Sequence, residues 1–331
     1  MKKEELKDFP QIIQDFFIYE TAVKNKSELS VLEYASDLRS FIRFLKLKEN
    51  LKSDNEKFNE ISISDFSEEK ILCVTNKDAI AFLAFCNNEL RNNATTRARK
   101  ASTLRTFYKW LTYHENRLDA NPMEHLEMPK VKKSLPKYLT RDDCLALLKA
   151  IDGPNKERDF CIVIFFLNCG LRLSELVSLN YNDIRSDNTM KVTGKGNKER
   201  TIYLNEACIE AFNAYMKVRP NDGLKDKNAL FISRNKNRLS NKSVQHIIYT
   251  LLDKAGMSGM GLSTHKLRHT AATLMYQHGN TDIMLIKEIL GHENLGTTQI
   301  YTHVVNSQLK EAVDSNPLAN IKPTDTKKQT D

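Results

Sequence analysis

The sequence lacks the features of an exported or membrane-bound chain. Its six cysteines, Cys73, Cys86, Cys144, Cys161, Cys169 and Cys208, are scattered and mostly set among apolar residues. None of them pairs at metal-ligand or redox spacing. That excludes a disulfide framework and predicts reduced thiols in a cytoplasmic protein. Long hydrophobic runs are missing too. The longest extends only from Cys161 to Leu167, far short of the ~20 residues a membrane span needs. At the N-terminus, MKKEELKDFPQIIQDFF carries lysines, but acidic residues interrupt any apolar stretch, so no secretory leader is expected. Glycine and proline are sparse, as in globular rather than fibrous proteins.

Positive charge is what the chain has in excess. Fifty lysines and arginines against 42 aspartates and glutamates leave a formal net charge of +8, spread along 331 residues. A polyanionic partner is implied, either nucleic acid or an anionic membrane surface. The length suits two domains of ~100–200 residues each.

Helical periodicity dominates residues 9–128. PQIIQDFFIYETAV is amphipathic, and SELSVLEYASDLRSFIRFLKLKE sets Tyr34, Leu38, Phe41 and Leu45 at helical spacing with Ser30 as its expected N-cap. KDAIAFLAFCNNELR and ATTRARKASTLRTFYKWLTYHEN form two further helices. KSDNEKFNEISISDF, between the second helix and KDAIAFLAFCNNELR, reads as an extended connection. MPKVKKSLPKYLT then places two prolines and four lysines in a stretch without apolar period, an extended linker. The expected organisation is a helical domain over 1–128, a basic linker over 129–139, a second domain over 140–316 and a polar tail over 317–331, disordered or conditionally ordered. In the second domain, TRDDCLALLKAI, RDFCIVIFFLNCG and LRLSELVSL are helical. TMKVTGKGNKERTIYL alternates around GKGNK as a β-hairpin, and helices return from residue 205.

Several residues could carry chemistry. In HKLRHTAATLMYQHG, His265 and Arg268 stand at i, i+3 near a positive helix N-terminus, which suits a phosphate. A rival reading pairs His265 with His269 at zinc-ligand spacing. Lys266 stands where that motif needs a glutamate, and no acidic ligand follows. In CGLRLSELVSL, Arg172 and Glu175 form either a surface ion pair or an arginine fixed by a glutamate and aimed at an anion. GKGNKER lacks the spacing of a nucleotide loop. It is a solvated turn, or a lysine that reaches a DNA groove or donates a proton. In LGHENLGTTQIYTHV, His292 follows a helix stop and Tyr301 sits in a helix opened by Thr297 and Thr298. His292 could cap loose carbonyls, and Tyr301 could be core or nucleophile.

In their order along the chain, GLRLSEL, GKGNKER, HKLRHTAATLM and LGHENLGTTQIYTHV resemble the tyrosine recombinase (phage integrase) family, in its Xer-like branch. TTRARKASTLRTFYKWL and the Lys/Pro linker are similar to that family's helical core-binding half. The resemblance implies a mainly α fold: a helical, SAM-like core-binding domain followed by an α-rich catalytic domain with a small β-hairpin. It implies Arg172, Lys195, His265, Arg268 and His292 as catalytic residues, Tyr301 as nucleophile and Glu175 as the acidic support; Lys198 is the runner-up for Lys195. Arg97, Arg99, Lys100 and Arg105 are the candidate DNA contacts. The implied activity is site-specific recombination through a 3′-phosphotyrosyl link and a Holliday junction, with neither metal nor ATP as cofactor. The implied partners are double-stranded DNA with paired inverted half-sites, three further protomers of the same chain or a paralogue, and an activator protein. The segment from Gln308 to Asn320 would dock onto a neighbouring protomer. With the core-binding pattern starting near residue 9, no additional arm-binding domain is expected. That favours dimer resolution over the integrase or excisionase of a mobile element. A type IB topoisomerase-like enzyme and a silent architectural DNA-binding protein are the remaining alternatives.

Overall fold

The structure, a computed structural model, describes residues 6–51, 56–131, 137–194, 197–278 and 283–291. The chain divides into two compact units, Met1–Lys133 and Ser134–Asp331. Both are mainly helical, the second adding one two-stranded sheet. Among the described residues, no helix is long and apolar enough to cross a membrane.

In the first unit, α1 (Gln11–Ala22) starts after Pro10, whose ring fixes the entry φ, and buries Ile12, Ile13, Phe16 and Phe17. α2 (Glu28–Lys48) begins earlier than the sequence suggested. Ser27, not Ser30, is the N-cap: its Oγ accepts the Ser30 backbone N–H at 3.3 Å, and Glu28 adds negative charge to the first turn. A short helix, α3 (Glu68–Leu72), follows the extended connection. Five residues are too few to show a period, so only the Ser67 cap announces it. In α4 (Asn76–Asn88), the Asp78 carboxylate accepts from the Thr75 backbone at 2.8 Å, and α5 (Ala94–Tyr113) is capped by Asn93. The core is aromatic. Phe16 meets Phe107 edge-on at 5.2 Å, and Phe41 meets Phe82 at 5.1 Å. Each such buried ring contributes about 1.5–3 kcal/mol.

The second unit is built around α7 (Lys156–Cys169), apolar on all sides because α6 (Arg141–Lys149), α8 (Leu173–Ser178), α9 (Glu206–Val218) and α11 (Thr264–His278) all pack against it. β1 (Thr189–Thr193) and β2 (Glu199–Tyr203) pair antiparallel, Met190 opposite Ile202 and Val192 opposite Arg200. α10 (Asn241–Lys254) covers α6 and α8, and α12 (Ile283–Leu290) packs on α11. α7 stops at Gly170, whose φ of +58° is left-handed. A Cβ built there would stand 2.5 Å from Leu290 Cδ2, so the turn admits glycine on both counts.

Candidate active site

The turn at Gly170 delivers Arg172 to the N-cap of α8, and the helix then places Glu175 one turn on, beneath it. Glu175 is 2% exposed and ionised at the centre of the site. Its Oε2 accepts the Arg172 backbone N–H at 2.7 Å and Arg200 Nη2 at 2.9 Å. Its Oε1 accepts Arg172 Nη1 at 2.7 Å and Arg200 Nη1 at 2.8 Å. Arg268 Nη1 stands 3.7 Å from Oε2. Burial alone would raise the carboxyl pKa. The Arg200 hydrogen bonds, the Arg172 N–H and the arginine charges overcome it and bring the pKa down to about 2.

The same three arginines grip the end of α12. Arg200 Nε donates to Ile289 O at 3.0 Å, Arg268 Nη2 to Leu290 O at 2.5 Å and Arg172 Nη2 to Gly291 O at 2.9 Å. Three successive carbonyls at a helix C-terminus are thereby satisfied by three cations, where the helix dipole favours positive charge. Arg268 Nη1 also donates to Gly170 O at 2.6 Å. Arg268 is buried, whereas the Arg172 side chain is 38% exposed, so Arg172 is the more accessible of the two to an incoming anion.

His265 lies in the first turn of α11, one turn before His269, and the two Nε2 atoms are 3.1 Å apart. Desolvation, then the charges of Arg268, Lys266 and Arg172, hold the His265 pKa below the ordinary 6.5. Neutral imidazole is therefore the resting form at neutral pH, suited to accept a proton. Among the described residues no three histidines, cysteines or carboxylates gather as a metal-binding group.

The structure thus brings Arg172, Glu175, Arg268 and His265 into one region. Lys195, His292 and Tyr301 lie outside the described residues. Their neighbours in sequence, Gly194 and Gly291, both border the cluster: a Cβ on Gly194 would be 3.6 Å from Glu175 Oε1, and one on Gly291 3.2 Å from Arg200 Nη1. Lys198, the alternative lysine, accepts from Gly194 N–H through its carbonyl at 2.7 Å.

Arg200 is the residue that motif reading passed over. Its signal was strand alternation: Arg200 shares the face of buried Ile202, and an arginine in that register needs a buried acid.

In the first unit, the four basic candidates divide. Asp37, on α2, accepts Arg99 Nη1 at 2.6 Å and Thr103 Oγ1 at 2.8 Å, with Lys100 Nζ at 3.4 Å. Lys100 is buried over the Phe82 ring, and Arg97 is half-buried. Arg105 is exposed and, with Ser102, Thr106, Lys109 and Tyr113, lines an open cavity of about 610 Å³ along α5. Lys109, at i+4 from Arg105, was legible from spacing but was not singled out.

Clustered guanidinia beside a neutral imidazole suit a phosphodiester, and the similarity to known proteins gives the class: a DNA breaking-and-rejoining enzyme of the tyrosine recombinase type. The chain belongs to the phage integrase family, whose description matches residues 137–308, while the phage integrase N-terminal SAM-like domain matches residues 13–115. It is 50% identical to tyrosine recombinase XerC of Caldanaerobacter subterraneus subsp. tengcongensis over 94% of this chain and 88% of that one. Identity to tyrosine recombinase XerC of Thermodesulfovibrio yellowstonii is 34%, over 93% and 96% of the two chains. Among solved structures, XerH site-specific recombinase bound to palindromic difH substrate, a post-cleavage complex, shares the fold: TM-score 0.67, 20% identity, 95% and 96% coverage. With these relatives, the chain is a Xer-type site-specific recombinase.

Proposed function

We propose that the chain cuts and rejoins duplex DNA through Tyr301, with Arg172 and Arg268 as the phosphate clamp. The observation that carries this reading is the pair of arginines held around one ionised, buried Glu175 beside neutral His265. A phosphodiester repels nucleophiles and has a poor leaving group. Guanidinia on the non-bridging oxygens offset the charge that builds in the transition state, usually the largest catalytic contribution. The Tyr301 phenol oxygen attacks phosphorus as its proton passes to His265. The bond from phosphorus to the 5′-oxygen breaks, and Lys195 protonates that oxygen. His292 donates a hydrogen bond to the phosphate. The resulting 3′-phosphotyrosyl link keeps the bond energy, and attack by the 5′-hydroxyl of another strand releases the tyrosine.

The biological reading is resolution of chromosome or plasmid dimers in the cytoplasm. Four protomers assemble on two sites with inverted half-sites and exchange strands through a Holliday junction. The segment from Gln308 to Asn320 docks on a neighbour, and an activator protein licenses the reaction. The 50% identity to a XerC supports this over the mobile-element alternative. Arg105 and Lys109 are exposed on α5 and available to DNA phosphates, with half-buried Arg97 and Arg99 earlier on the same helix.

The test is incubation of the full chain, and of Tyr301→Phe, with nicked duplexes carrying the host's dimer-resolution site or the DNA flanking the gene. A protein–DNA adduct that resists SDS, yields to protease and vanishes in the Phe variant supports the reading, and the trapping duplex separates the two roles. An adduct that persists in Tyr301→Phe overturns it.

A further inference from the structure

His269 has no place in the chemistry above, yet its Nε2 faces that of His265 at 3.1 Å, ring planes 81° apart and centroids 4.5 Å apart. At that separation the two nitrogens share one hydrogen, so a single Nε2–H serves both. When His265 Nε2 is the donor, its Nδ1 lone pair is free to act as a base. When His269 Nε2 is the donor, His265 must carry its own hydrogen on Nδ1 and cannot accept another there.

We propose that His269 is a positioning residue that relays the proton: it keeps His265 in the base-competent tautomer and takes up the Nε2 proton as the tyrosine attacks.

The step balances without any further reagent. The Tyr301 O–H bond breaks and its proton goes to His265 Nδ1. The His265 Nε2–H bond breaks and its proton goes to His269 Nε2, while the phenol oxygen's electron pair forms the bond to phosphorus. His265 ends neutral, as it began, and the positive charge rests on His269. Return of the proton along the same path accompanies ligation.

Electrostatics favours this direction of transfer. His265 occupies the first turn of α11, where the dipole is positive, with Arg268, Lys266 and Arg172 acting on it. An imidazolium there is penalised. His269 lies one turn farther along the helix, about 6 Å by α-helical rise, away from the positive terminus. A charge moved from the first histidine to the second lies one turn farther from the positive end of α11. The neighbouring sequence has the same sense, because His269 follows Arg268, the buried arginine pinned between Gly170 O and Leu290 O. The backbone that carries His269 is thereby held in place.

The proposal rests on His265 as the base, and the experiment separates the two. Single-turnover adduct formation on a nicked duplex is measured for the full-length wild type and for His269→Ala, His269→Gln, His269→Phe, His265→Ala and the double alanine variant. DNA binding and thermal melting are followed in parallel. The expected result is a loss of about tenfold or more in cleavage for the His269 variants, with binding and melting unchanged. Added imidazole restores His269→Ala, and the double variant is no slower than His265→Ala alone. Wild-type cleavage by His269→Phe means that the ring only packs, and this overturns the relay. A slow His265→Ala beside a normal His269→Ala also overturns the relay but leaves the base assignment standing. If His265→Ala itself cleaves at the wild-type rate, the base assignment falls and the relay with it.

Discussion

Arg200 and Glu175 meet side-on, Nη1 to Oε1 at 2.8 Å and Nη2 to Oε2 at 2.9 Å, forming a two-pronged ion pair between the hairpin and α8. Glu175 is thereby shared: one face serves Arg200, the other orients Arg172. The pair ties the hairpin that carries Lys195 to the turn that carries the exposed arginine.

Loss of Arg200 should therefore be costly. Arg200→Ala leaves a buried carboxylate short of two charge-assisted bonds and frees Ile289 O. Breaking a buried pair from one side costs about 3–5 kcal/mol. Urea denaturation should show a loss of that order, and the cleavage rate should fall even where the variant remains folded. Arg200→Lys, a point charge without the fork, should recover only part of the stability. Full stability in Arg200→Ala would mean that Glu175 is held by Arg172 alone.

Acid sensitivity follows from the same carboxylate. In the folded chain Glu175 titrates at about 2, against an ordinary 4.5. Below pH 4.5 the unfolded chain takes up the proton first. The stabilisation is complete above that pH and is lost as the pH falls towards 2, a total of order 3 kcal/mol. Glu175→Gln should be less stable at neutral pH and should lose less on acidification than the wild type. Parallel stability curves for the two proteins would argue against an ionised Glu175.

With His265 as the proposed base, its titration should set the acid limb of the cleavage rate. Its pKa lies below 6.5, lowered by desolvation, then by Arg268, Lys266 and Arg172, with His269 facing it. A depressed pKa keeps the base neutral to lower pH, so adduct formation should hold its rate through pH 6.5 and decline only below it. Lys266→Gln removes one cation and should move that decline upward. Single-turnover rates from about pH 5 to pH 8, across the histidine range, measure both. A decline centred above 6.5 in the wild type would contradict the electrostatics of the site.

Much of this was legible in the sequence because its signals are local. The apolar run of α7, the glycine stop at Gly170 and the alternation around GKGNK each occupy a few consecutive residues and fold as their chemistry requires. Arg172 with Glu175, and His265 with Arg268, were visible as helical pairs. What stayed hidden depends on long-range pairing. Nothing local to Arg200 names Glu175, 25 positions earlier, and nothing near Gly291 announces that its carbonyl meets Arg172. Lys100 shows the converse. Its charge reads as a surface feature, yet a buried aspartate on α2 draws it inward. The Ser27 cap was missed because Ser30 satisfies the same rule one turn later.

DNA binding by the first unit should follow exposure rather than charge count. Arg105 and Lys109 are both exposed on the cavity-lining face of α5, whereas Arg99 is bonded to Asp37 and Lys100 is buried beside the same carboxylate. A phosphate contact releases counterions, so each one contributes about 0.9 to the slope of log affinity against log salt. Arg105→Gln and Lys109→Gln should each reduce that slope by about this amount and weaken binding to all duplexes alike, without altering thermal stability. Lys100→Gln should act in the opposite manner, lowering the melting temperature through a deprived Asp37 while leaving the salt slope of the folded protein intact. Filter-binding or anisotropy titrations at several salt concentrations, paired with melting curves, separate the two classes. A Lys100 variant with normal melting and a reduced slope would move the DNA contact from the open face of α5 to the Asp37 cluster.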